Sequence, residues 1–121
     1  MHRRQQLHHI GGIIVVVEKR TPTYDLEAVK ACISVPEKLE ITRTALKSAQ
    51  ALGFQKKEIV RTVQSIARVH FYKSMTAIAD SRNWQDVYYV PHDEVGTLYV
   101  KFTSGVVTAF MVLSFKEKED I

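Results

Sequence analysis

Apolar residues along this chain recur first at helical spacing and then at strand spacing. Leu26, Val29 and Ile33 stand at i, i+3 and i+7, one stripe of a helix that Thr23 caps, Asp25 and Glu27 favour electrostatically, and Pro36 closes. Thr42 caps a second helix that runs through Leu46, Ala49 and Leu52 and stops at Gly53. A third spans Lys56 to Arg68, with Ile59, Val63 and Ile66 on one face. Beyond it the period shortens. Residues 84–90 (WQDVYYV) are aromatic and β-branched, and Pro91-His92-Asp93 reads as a turn. From Thr97 to Thr103, Leu98, Val100 and Phe102 alternate with Tyr99 and Lys101. Residues 106–115 are almost continuously apolar, which predicts a central strand covered on both faces. Residues 70–79 fit either element: Phe71, Met75 and Ile78 suit a helix, and Tyr72 to Thr76 suits a strand. Helices followed by a meander predict an α+β fold, with N-terminal helices packed on a mostly antiparallel sheet.

Composition narrows the class. A chain of 121 residues that is 45% hydrophobic and 25% charged supports one domain with one core. The apolar runs are strand-sized, well short of the ~18 residues a membrane span needs, so no membrane partner is expected. Residues 1–12 are polar and lead into the strand-like run Ile13 to Val17. The lone Cys32 makes no internal disulfide and falls on the core-facing stripe of the first helix, as a buried thiol would. The net charge is +4, and the basic residues concentrate on the helices between Lys30 and Arg68, a surface compatible with a polyanion. Two basic helices in succession also admit a helix-turn-helix DNA-binding regulator. The third helix, however, opens without the Arg/Asn/Gln cluster that base readout uses, and the β half would have no role.

Most catalytic signatures are missing. Gly11-Gly12 lacks the lysine and spacing of a phosphate loop. The five histidines show no metal-ligand spacing with carboxylates, so neither a metal nor another cofactor is expected. What remains is a polar sheet face carrying Tyr99 and Lys101. Lys116 shares that face in either of two registers. A turn at Ser104-Gly105 sets Tyr99 opposite Phe110, and a turn at Val107-Thr108 sets it opposite Lys116.

Five strings in order, EKRTP at 18–22, FYKSMT at 71–76, WQDVY at 84–88, YVKF at 99–102 and SFKEK at 114–118, resemble the MqsR family of toxins. These are RelE-like mRNA interferases of type II toxin–antitoxin systems. Chains of that family begin with Met directly before EKRTP, where Val17 stands here. Residues 1–17 therefore read as an N-terminal extension, and 18–121 as a single toxin domain of RelE-like fold. The resemblance implies a metal-independent endoribonuclease in the cytoplasm that cuts single-stranded mRNA at GCU-like sites. It implies restraint by an MqsA-like antitoxin that binds zinc and DNA, so that DNA is reached only through the antitoxin. Residue by residue, it makes Lys73, Gln85, Tyr99 and Lys116 the catalytic candidates, with Tyr72, Met75 and Lys101 as RNA contacts. A catalytically dead member that binds only antitoxin or RNA is the remaining alternative.

These residue types suit the reaction. A 2′-hydroxyl attacking the neighbouring phosphorus builds negative charge on a phosphorane, which lysines stabilise. Tyr99, or a lysine whose proton is loosened by another cation, can move protons, and the residues leave open which lysine is the base. Gln85 suits phosphate orientation or base-edge reading, and Tyr72 suits stacking on an unpaired base.

Overall fold

The computed structural model describes residues 4–7, 16–77 and 82–119. Its strands are β1 (Arg4–Leu7), β2 (Val16–Lys19), β3 (Phe71–Thr76), β4 (Trp84–His92), β5 (Gly96–Ser104) and β6 (Phe110–Glu117). Its α-helices are α1 (Leu26–Cys32), α2 (Arg43–Ala51) and α3 (Lys56–Ser65). The strands form one six-stranded sheet in sequence order, every neighbouring pair antiparallel. The α+β expectation holds, and residues 71–76, which the pattern left open, are strand.

The helices cover one face of that sheet. Leu26, Val29 and Ile33 from the first helical segment, Ala45 and Ala49 from α2, and Ile59, Val60 and Val63 from α3 form the core. They meet Tyr88, Val90, Leu98, Val100, Phe102, Val112 and Phe115 from the sheet. Each large aliphatic side chain so buried contributes about 1.5–3 kcal/mol. The strand residues in this core alternate with the ones considered below, which therefore point away from the helices. Cys32 is half-buried against the core rather than within it.

Four boundaries differ from the sequence reading. Asp25, not Thr23, caps α1 by accepting from the Glu27 amide. The backbone amides of Thr23 and Tyr24 are instead bound by the fully buried Asp86 carboxylate at 2.9–3.1 Å. A long-range carboxylate thus outcompetes the local cap. The helix α3 ends at Ser65, short of the expected Arg68: Ile66 and Ala67 are extended, and a short 3-10 turn, Arg68–His70, follows. The apolar run 106–115 is no central strand. Val106 and Val107 are exposed at 90% and 85% in the loop before β6, and β6 is the terminal strand of the sheet. Its free side is partly covered by the chain entering α2, where Ile41 bridges Val112 in parallel. Neighbouring chain thus supplies the cover that a further strand was expected to give.

The β5–β6 loop is braced. Glu40 accepts from the Thr108 amide and hydroxyl at 2.9 and 2.8 Å, and these bonds, the amide first, draw its carboxyl below the usual carboxylate value. Gly105 is required there, because a Cβ would run into the Thr108 carbonyl and the Glu40 carboxylate. The turn between β4 and β5 lies at 93–95, later than expected, and ends at Gly96 with φ of 103°.

Candidate active site

Directly opposed residues of an antiparallel ladder point to the same face, so register converts the strand sequences into rows across the sheet. On the face away from the helices, one row runs Glu18, Met75, Gln85. The next runs Lys73, Val87, Lys101, Ser114. The third holds Tyr89, Tyr99 and Lys116. Successive rows lie about 7 Å apart along the strands.

Tyr72 joins the third row through a β-bulge. Phe71 pairs with Tyr88 and Lys73 with Val87, which leaves Tyr72 as an extra residue in β3. Its ring stacks on Tyr89 with centroids 4.4 Å apart and planes 16° apart, while the Lys73 ammonium lies 5.3 Å from the same ring. Consecutive residues of one strand thereby serve the same face. All seven residues singled out from the strings, Lys73, Gln85, Tyr99, Lys116, Tyr72, Met75 and Lys101, are gathered on it. Of the two hairpin registers, the one opposing Tyr99 to Lys116 is observed.

The electrostatics follow from crowding. Burial, reinforced by the charges of Lys116 and then Lys73, pulls the Lys101 ammonium below the ordinary lysine value. Burial chiefly, then Tyr72 and Glu18, raises the Tyr99 phenol. Tyr89 is pushed up to about 12, mainly by burial. Such a face holds at least one lysine biased toward neutrality beside a phenol biased toward staying protonated.

Glu18, Tyr89 and Lys118 escaped the sequence reading. Glu18 is 7% exposed and forms an ion pair with Lys73 at 2.5 Å, reaching diagonally from the neighbouring row. It lay within EKRTP, but nothing local marks a partner 55 residues away. Tyr89 carried a usable signal, since it shares the parity of Gln85 along β4. The two histidines among the described residues serve the backbone. His70 Nδ1 accepts from the Ala67 amide, and His92 Nδ1 from the Glu94 and Val95 amides. Arg43, Lys47, Lys56, Lys57 and Arg61 of the helices are exposed on the layer behind the sheet. They do not border this face.

An open sheet face lined by lysines and stacked tyrosines has the chemistry that suits a flexible polyanion. Residues 21–117 match the model of the family described as motility quorum-sensing regulator, toxin of MqsA. The chain is also 37% identical over 102 residues to the mRNA interferase toxin MqsR of Escherichia coli (strain K12), covering 84% of this chain and 100% of that protein. The chain belongs to the MqsR toxin family.

Proposed function

We propose that this protein is the toxin of a type II toxin–antitoxin pair and an endoribonuclease that cuts single-stranded mRNA on its open sheet face. The observation that supports this best is the convergence of Lys73, Lys101 and Lys116 around Tyr99 and Gln85, reached from four different strands. Lysines at that density suit a scissile phosphate and the charge that builds on it.

The reaction balances without a metal. The 2′-hydroxyl loses its proton and its oxygen bonds to phosphorus, the P–O5′ bond breaks, and the departing 5′-oxygen takes up a proton. A 2′,3′-cyclic phosphate and a 5′-hydroxyl result. Lys101, for which burial and two neighbouring cations favour the neutral form, accepts the first proton. Tyr99, whose phenol stays protonated at neutral pH, gives the second. Lys73 and Lys116 hold the phosphate oxygens, and Gln85 and Met75 border the adjoining base.

The same reading gives residues 18–121 a RelE-like toxin domain, with 1–17 as an extension dispensable for cutting. It gives cleavage at GCU-like sites in the cytoplasm, and restraint by an antitoxin with zinc-binding and DNA-binding parts. Purified protein incubated with a GCU-containing single-stranded RNA, with EDTA and without ribosomes, tests it. Discrete cuts with 5′-hydroxyl ends are expected from wild type and none from the Lys73→Ala, Lys116→Ala double variant. Intact RNA from folded wild-type protein, with and without residues 1–16, would refute ribosome-independent cutting.

A further inference from the structure

We propose that Tyr89 and Lys118 form a subsite for one unpaired nucleotide flanking the cut linkage, stacking its base on Tyr89 and holding its phosphate on Lys118. The proposal rests on the RNA-cutting reading of the same face. Neither residue was among the expected RNA contacts, and the geometry transfers to Tyr89 the stacking task expected of Tyr72. The Tyr72 ring already has a parallel neighbour in Tyr89, with the Arg20 guanidinium 5.2 Å from its centroid.

Tyr89 is different on its other side. Its ring is tilted 48° from Tyr99, with centroids 6.1 Å apart, so the two rings open as a wedge rather than closing as a stack. Over them lie Lys118, 5.3 Å from the Tyr89 centroid, and Lys116, 5.2 Å from that of Tyr99. The wedge opens on a cavity of about 200 Å³ bordered by Tyr89, Tyr99, Lys116, Lys118 and Glu119. A lysine on a ring face is an exchangeable cover. Its long stem lets the ammonium swing onto a phosphate while a base takes its place on the ring. A flat π surface with cations at its rim matches a nucleotide. The cavity directly adjoins the Tyr99–Lys116 pair, so the nucleotide it holds is the one next to the cut linkage.

The test uses the full-length protein and a short RNA carrying 2′-deoxyribose at the mapped cut, so that binding is read without cleavage. 2-Aminopurine replaces the base on the 5′ or the 3′ side of that linkage, and stacking quenches its fluorescence. Quenching at one of the two positions is expected with wild type and with Tyr89→Phe, which keeps the ring. It should be lost with Tyr89→Leu, accompanied by a roughly 5- to 100-fold weaker Kd. On cleavable RNA the Tyr89→Leu defect should appear mainly in KM, and Lys118→Gln should lower the salt slope of binding by about 0.7. Equal quenching by Tyr89→Leu, or a Tyr89→Phe as defective as Tyr89→Leu, would overturn the subsite. So would displacement of the RNA by polyglutamate as readily as by unlabelled RNA, which would assign the cavity to an acidic protein. If wild type cuts RNA and Tyr89→Leu cuts it with the same KM, the subsite fails while the ribonuclease reading stands. If wild type does not cut, the ribonuclease reading fails, and the subsite, defined by the cut linkage, fails with it.

Discussion

Tyr99 and Lys116 face each other directly across β5 and β6, and the Lys116 ammonium lies 5.2 Å from the centre of the Tyr99 ring. The ring is a platform for the cation, and the phenol is a separate chemical group on it. The two can be divided experimentally. Tyr99→Phe keeps the platform and removes the proton donor, so kcat should fall by roughly 10²–10⁴-fold with little change in KM. Tyr99→Ala should additionally raise KM. Equal kinetics for the two variants would show that the hydroxyl has no part in proton transfer.

The Glu18–Lys73 pair is almost sequestered, with side chains 9% and 17% exposed, so its coupling should far exceed that of a surface pair. A double-mutant cycle with Glu18→Gln and Lys73→Met should give a coupling of about 1–3 kcal/mol in urea denaturation. Additive effects would show that the two charges do not stabilise each other.

Lys101 should work against stability. Its folded value lies below the 10.5 of an ordinary lysine, so over that interval the unfolded chain binds more protons than the folded one. Its contribution therefore improves as pH rises from the folded value toward 10.5. Below that window the half-buried ammonium is a cost. Lys101→Met should raise Tm at neutral pH while abolishing cleavage, and should remove any rise of cleavage rate with alkaline pH. A lower Tm would mean that Lys101 is a stabilising cation.

Tyrosine ionisation should be delayed. Tyr88, whose buried hydroxyl has no hydrogen-bond partner among the described residues, and Tyr89 are both pushed up to about 12, chiefly by burial. The folded protein then holds protons that the unfolded chain releases near 10, so stability present below pH 10 should be lost as pH climbs toward 12. A spectrophotometric titration should show late-titrating phenols, one of them lost in Tyr88→Phe and another in Tyr89→Phe. Normal titration of both would contradict the burial.

Asp86 anchors the start of α1 to the sheet through the Thr23 and Tyr24 amides. Asp86→Asn keeps the shape but removes the charge from those bonds, which should cost about 1.5–3 kcal/mol in denaturant unfolding. An unchanged midpoint would show that the amides find equal partners without it.

Several of these features could be read along the chain because they are local. The Thr42 cap is seen accepting from the Ala45 amide, and the apolar stripes of α2 and α3 face the core as their spacing requires. The alternation in β5 separates Leu98, Val100 and Phe102 from Tyr99 and Lys101. The five strings carry the family likeness, and six of the seven candidates they supply sit in ordinary strand alternation.

Other features exist only once distant strands meet. A bulge adds one residue without changing composition, so the alternation could not reveal that Tyr72 turns onto the face of Lys73 or that Leu113 is the extra residue in β6. Nor could it decide between the two hairpin registers, since both bury the same apolar set; the loop at 105–109, braced by Glu40, makes that choice. The Glu18–Lys73 pair, the wedge of Tyr89 and Tyr99, and the placing of the basic helices behind the sheet have the same origin. Period, capping and parity are set by neighbours in the chain and are therefore legible in the sequence. Register, bulges and the meeting of charges depend on which long-range pairings bury the most surface with the fewest unpaired groups, and only the folded chain decides that.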